Sequence, residues 1–276
     1  MKRHFFFLVV LAMLTCLSGC SQENQNVPDR MLEWEVEDYL NYNSINSVDT
    51  YTSYDMQTSH SYDKQTKTDT VSIKLTVYYP KCVASSSYEG TYKYNKEKEE
   101  WEFLRGDRWS DMQIESFTMS ASQEEWIAAL KKTGFANIDF ATEAEIEETK
   151  ERFQKKLQEE VPSGSVTDLW LLGARDDISD PDSDIVICCM TLNDENSVES
   201  AYWAIKNEDI DSNGYDVSYS AKGENYEYML VQDDVDEWTL LVKNEKRVFY
   251  IYFCGIDWVP YDLLYEVGFI YDYTAD

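Results

Sequence analysis

The sequence predicts an α+β protein of two domains, each an antiparallel sheet packed with helices. Three observations carry this prediction. Val71, Ile73, Leu75, Val77 and Tyr79 alternate with Ser72, Lys74, Thr76 and Tyr78, the pattern of a half-buried strand. Capping boxes at Ser122 to Glu125 and Thr142 to Glu145 each open a helix, the hydroxyl and the carboxylate satisfying free backbone amides. Helices and strands then interleave without the strict alternation that a parallel sheet requires.

Taken in order, the chain begins with a basic head, Met1-Lys2-Arg3-His4, and an unbroken apolar run from Phe5 to Leu14. Residues 1–19 read as a secretory signal peptide, because the apolar run falls short of the about 20 residues that span a bilayer. Leu17-Ser18-Gly19-Cys20 resembles the lipobox of bacterial lipoproteins. That resemblance implies that the Cys20 sulfur carries a diacylglyceryl group, that Cys20 is the first mature residue, and that palmitate-like acyl chains hold the protein to the outer face of the cell membrane. Two or more chains give stable anchoring where one gives marginal binding.

Residues 20–30 form the lipidated cysteine and a polar tether, including Ser21 to Arg30. Ten such residues stretch to at most about 36 Å. The first domain, 31–109, opens with a helix over Met31 to Asn41 that sets Leu32, Val36, Tyr39 and Leu40 on one face. About four strands follow: a Thr/Ser/Tyr-rich run from Val48 to Tyr62, the alternating run from Val71, one carrying Tyr92 and Tyr94, and one carrying Trp101 and Phe103. This element order resembles the cystatin-like arrangement, in which a meander wraps a helix. Residues 110–121 are expected to be a connector.

The second domain, 122–276, starts with a helix bearing Trp126, Ile127 and Leu130 and ended by Gly134. The next helix, to about Glu160, has a thin apolar stripe of Ile146, Phe153 and Leu157. Strands are expected over Val166 to Ala174 and Asp184 to Leu192, a helix over Ser197 to Asn207, and strands over Tyr226 to Gln232, Trp238 to Lys243 and Arg247 to Phe253. A last helix spans Pro260 to Val267.

The composition excludes several function classes. Without residues 1–19 the chain keeps 22 basic against 53 acidic residues, a formal charge of −31. Such a surface repels nucleic acid and anionic lipid, so the partners expected are the membrane, through the lipid at Cys20, and a protein or cell-envelope component. Twenty-one tyrosines and eight tryptophans supply the apolar area that disordered acidic chains lack. Cys82, Cys188, Cys189 and Cys254 remain in the mature chain, an even number that permits disulfides. Cys188 and Cys189 have only apolar neighbours and read as small buried hydrophobes on both faces of a central strand, with a bridge to Cys254 as the alternative.

Catalytic chemistry is poorly supplied. The mature chain has a single histidine, His60, so any Ser-His or Cys-His arrangement has to use it. No phosphate-cradling glycine loop is present. One metal candidate stands out, Asp209-Ile210-Asp211-Ser212-Asn213-Gly214, which matches the first half of an EF-hand loop through Asp209, Asp211 and Asn213. Ser220 stands where a bidentate glutamate is required, so the stretch reads as a turn. Asp180 to Asp184 has the same look with fewer matches. No catalytic residue and no cofactor is assigned. The tyrosines of the last third fit half-buried sheet positions, with an exposed sugar- or protein-binding surface as the alternative. The expectation is a non-catalytic, membrane-anchored, extracytoplasmic binding protein; the alternative is an envelope hydrolase using a carboxylate pair.

Overall fold

The computed structural model describes residues 26–43, 50–106, 108–176, 184–215, 217–234, 236–256 and 259–271. The expected lipobox with Cys20, and the acidic loop before Asp184, lie outside them. Contacts divide the chain into two compact units: residues up to Thr50 with Tyr54–Thr76 and Ser86–Asp111, and Tyr51–Ser53 with Val77–Ser85 and Met112–Asp276.

The N-terminal unit begins with α1 (Asp29–Tyr42), whose stripe buries Leu32, Val36, Tyr39 and Leu40 as the periodicity predicts. A meander follows: β1 (Ser53–Asp63), β2 (Thr68–Tyr78), β3 (Cys82–Asn95) and β4 (Glu100–Gly106), paired in that order. Along β2, Asp69, Val71, Ile73, Leu75 and Val77 point to one buried face. The single polar member of that set, Asp69, is completely buried.

The expected connector is a structured element instead. It holds β5 (Gln113–Phe117), which pairs with Cys82–Ser85 of β3. Its continuation is fastened by the fully buried Asn244, whose Nδ2 donates to the Phe117 carbonyl at 2.9 Å while its Oδ1 accepts the Met119 amide at 2.8 Å. The units divide between Asp111 and Met112, inside that stretch, and also within β2 and β3, long strands that contribute to both. Alternation over so short a run as Gln113–Phe117 gave no strand signal.

In the C-terminal unit, α2 (Gln123–Lys132) leads through Gly134, at φ +102°, into β6 (Phe135–Phe140), a strand that the sequence did not reveal. The first capping box is also built differently. Ser122 accepts the Glu125 amide, but the Glu125 carboxylate binds the Ser120 hydroxyl, which in turn accepts the Ser122 amide. At α3 (Glu143–Glu160) both arms of the box between Thr142 and Glu145 form as expected. Then come β7 (Val166–Asp176), β8 (Asp184–Leu192), α4 (Glu195–Ile205), β9 (Val217–Lys222), β10 (Tyr226–Asp234), β11 (Glu237–Asn244), β12 (Arg247–Cys254) and α5 (Tyr261–Glu266). Gly268, at φ +91°, closes α5 with its amide on the Tyr265 carbonyl, and the Phe269 amide returns to Leu264, the paired bonds of a Schellman ending.

The sheet order is β6-β7-β8-β12-β11-β10-β9. Two meanders are thus joined edge to edge by β8 and β12, which are antiparallel. One face carries Leu169, Met190, Val248 and Leu241 under Leu157 of α3 and Val198, Tyr202 and Ile205 of α4. On the other, Trp126 of α2 lies 6.1 Å from both Trp170 and Phe249. Because helices cover both faces, β8 is apolar at successive positions and does not alternate.

Cys188 and Cys189 sit on opposite faces of this central strand, as expected. The Cys254 bridge is not formed; all four described cysteines are free. Cys254 stands opposite Asp184, four and five residues away from Cys188 and Cys189 along β8. At strand rise these separations are about 13 and 16 Å, and a disulfide needs Cα atoms within about 7 Å. Burial pushes the Cys188 thiol up to about 12. In the native protein, alkylation by iodoacetamide should modify Cys254, which is partly exposed, and reach Cys82, Cys188 and Cys189 only after unfolding. Mass spectrometry of tryptic peptides reads this, and early modification of Cys188 would contradict the core placement.

Candidate functional site

The polar groups of the N-terminal unit fall into two sets. The first surrounds Asp69, whose Oδ2 accepts the Val27 amide at 2.9 Å and lies 2.7 Å from His60 Nδ1. His60 comes from the inner-facing positions of β1, and Val27 directly precedes the Pro28 that caps α1. This contact holds the start of the helix on the sheet. It also accounts for His60: among the described residues no serine, threonine or cysteine hydrogen-bonds to it. The histidine is a structural partner of a buried carboxylate, and Asp69 Oδ1 has no hydrogen-bond partner among the described residues.

The second set joins α1 to β3 and to the segment that follows β4. Trp109 is sandwiched between Tyr39 (4.4 Å, 17°) and Tyr88 (5.1 Å, 27°). The sandwich is fixed from behind by Ser110, whose carbonyl accepts from Tyr39 Oη at 3.1 Å and from Ser86 Oγ at 2.7 Å. Tyr88 lies flat along the sheet over Gly90, where an added Cβ would come 2.3 Å from its hydroxyl, and meets the Tyr92 hydroxyl at 3.2 Å. Tyr92 in turn touches Phe103 edge-on at 5.5 Å.

Glu35 is a half-buried residue of α1. Burial, and then the like charge of Asp38 one turn away, hold its carboxyl above the ordinary glutamate range. The same carboxylate helps to raise both phenols, burial being the larger cause at Tyr88 and at Tyr92. Among the described residues no cation pairs with Glu35 or Asp38. Other partly buried acids are treated differently. In the C-terminal unit, Lys243 Nζ lies 2.9 Å from Glu227 and also binds Glu199. Burial works to lower Lys243, but the two carboxylates outweigh it and leave its pKa raised.

The metal candidate has a different surrounding. Asp209 falls in a π-helical turn, Lys206–Ile210, and Asp211 to Asn213 in a 3-10 turn ended by Gly214 at φ +74°. Lys206 Nζ lies 2.8 and 3.1 Å from the two Asp211 oxygens. An ammonium thus already neutralises that carboxylate. Among the described residues no three His, Cys, Asp or Glu side chains are grouped to hold a metal ion. Tyr226 and Tyr228 are buried sheet residues, whereas Tyr215 and Tyr219 remain over a third exposed.

Glu35 gave no signal in the sequence, since Glu33, Glu37 and Asp38 surround it on α1 and only tertiary burial sets it apart. No protein-family model matches the chain, and no curated protein matches it.

Two outcomes follow from these sets. Asp69→Ala leaves the buried Val27 amide without an acceptor and should cost about 1–3 kcal/mol in urea unfolding; an unchanged midpoint would show that the helix start is held elsewhere. Glu35 binds its proton more readily folded than unfolded, so its contribution to stability is present below its ordinary value of 4.5 and is lost as pH rises through the raised value. The difference in Tm between Glu35→Gln and the wild type should therefore shift in favour of the variant from about pH 4 to about pH 7. A difference independent of pH would refute the assignment.

Proposed function

We propose that this chain is a lipid-anchored, extracytoplasmic binding protein without catalytic activity, and that its N-terminal unit meets a protein or envelope partner along β4. The anchor rests on the basic head, the apolar run and Leu17-Ser18-Gly19-Cys20. The observation that carries the binding reading is the large apolar surface that β4 leaves exposed at the sheet edge. Phe103 and Leu104 are adjacent on β4 and each 51 % exposed. Leu104 is left without a partner on β3 where the register of β3 and β4 shifts between Thr91 and Tyr92. Large apolar side chains side by side at a sheet edge are what a partner covers.

A hydrolase reading would take Glu35 as its acid, since burial raises it. Glycoside hydrolysis, however, needs two carboxylates flanking the scissile bond. The acid coupled to Glu35 is Asp38, which lies on the same flank of one helix. That arrangement favours binding over hydrolysis. No helix among the described residues is long and apolar enough to cross a membrane, so attachment on this reading is left to Cys20.

Replacing Cys20 by Ala should move the protein from the membrane fraction to the soluble fraction or block its processing. A processed, membrane-bound variant would overturn the anchor. A photo-crosslinking amino acid at Phe103 of the anchored protein should yield a discrete adduct, whereas one at Glu147 on α3 should not. Turnover of envelope glycan that disappears in Glu35→Gln would instead establish the hydrolase.

A further inference from the structure

The fold of the N-terminal unit takes up part of the expected tether. Val27 is 2 % exposed and its amide donates to the buried Asp69 carboxylate at 2.9 Å, so the chain is fastened to the sheet before α1 begins at Asp29. Seven residues, 20–26, remain between the expected lipid and the fold. They stretch to at most about 25 Å and span roughly 13 to 16 Å as a flexible coil. With acyl chains in the bilayer, the start of α1 is held within that distance of the lipid surface. The solvent-facing side of α1 carries one large ring near this end. Trp34 is 60 % exposed and lies about 8 Å along the helix axis from Asp29. Arg30, one turn earlier on the same face, places its guanidinium 5.5 Å from the centre of that ring. The other exposed charged residues of α1 are acids, Asp29, Glu33, Glu37 and Asp38.

We infer that this face of α1 rests on a surface of zwitterionic phospholipid, with the Trp34 ring at the headgroup level and Arg30 on a lipid phosphate. The inference rests on the lipid-anchored reading above, because the short leash is what selects this occupant. Tryptophan combines an apolar body with an N–H donor at its edge, so it settles where acyl chains meet headgroups. A guanidinium pairs with phosphate oxygens through parallel N–H bonds. The four acids repel an anionic lipid surface, so a zwitterionic one suits the whole face. One ring and one cation would not hold a freely diffusing protein on a bilayer. The leash supplies the attachment and the high local concentration, and Trp34 with Arg30 sets which side of the N-terminal unit faces the lipid.

The test places a photo-crosslinking amino acid at Trp34 or, as a control, at Arg108, an exposed residue beside the Trp109 that stacks on Tyr39 farther along α1. Each protein, produced as the full chain and purified in detergent, is reconstituted into phosphatidylcholine vesicles and irradiated. Mass spectrometry should find lipid adducts at position 34 and none above background at position 108. Arg30→Glu, which leaves only acids on the face, should remove most of the yield at 34; an unchanged yield would overturn the phosphate contact. Replacing part of the phosphatidylcholine by phosphatidylglycerol should lower the yield at 34, and a rise would overturn the zwitterionic assignment. Thermal unfolding of each variant confirms that it is folded. The N-terminal peptide tests the anchor separately: a Cys20 without acyl chains would overturn the lipid-anchored reading and this inference with it. An acylated Cys20 with equal yields at 34 and 108, or with none at either, would leave the anchor standing and overturn the inference.

Discussion

The antiparallel pairing of β8 with β12 is the contact on which the C-terminal unit depends. It joins a three-stranded meander to a four-stranded one, and its register sets Met190 against Val248 and Cys188 against Tyr250. Each meander alone would expose an unpaired edge; their union places those edges in the middle of a sheet covered by helices on both faces. The pairing also joins residues 56 to 70 positions apart in the chain, at an entropic cost that local hairpins do not bear. The buried rings of Trp126, Tyr202 and Phe249, on the two faces of that junction, offset the cost.

The N-terminal unit solves a different problem. Its helix is held at one end by the fully buried side chain of Asp69, whose single partnered oxygen serves both the Val27 amide and His60. At the other end, Tyr39, Trp109 and Tyr88 stack and Ser110 stitches them in place. Polar constraint fixes where the helix begins and aromatic packing fixes how it lies. Glu35 is then carried to a position where water is partly excluded and no cation compensates.

An acidic protein can place its carboxylates in three ways. Most are solvated and need no partner. Some are paired within the chain, as Glu199 and Glu227 are around Lys243, Glu266 is by Lys132, and Glu102 is by Lys98. Glu35 belongs to neither set, because it is partly desolvated, unpaired and crowded by Asp38. Desolvation without compensation is a local loss, and it sets Glu35 apart from the solvated acids around it.

Much of the architecture was legible because it follows from local chemistry. The stripe of Leu32, Val36, Tyr39 and Leu40 required a helix, the alternation from Val71 to Tyr79 required a strand, and the boxes at Ser122 and Thr142 located two helix starts. The apolar run through Cys188 and Cys189 likewise announced a strand covered on both sides. Short elements escaped because their signal is weak: five residues of β5 and six of β6 depend on neighbours that lie far away in sequence. What the sequence determined alone is therefore the class, the elements with a strong period and the excess of negative charge. Strand order, the division within β2 and β3, the use of His60 as a partner for Asp69, and the isolation of Glu35 among neighbouring acids were decided only by tertiary structure. Period and capping act within a few residues, whereas burial and the presence or absence of a counter-charge depend on which distant segments meet.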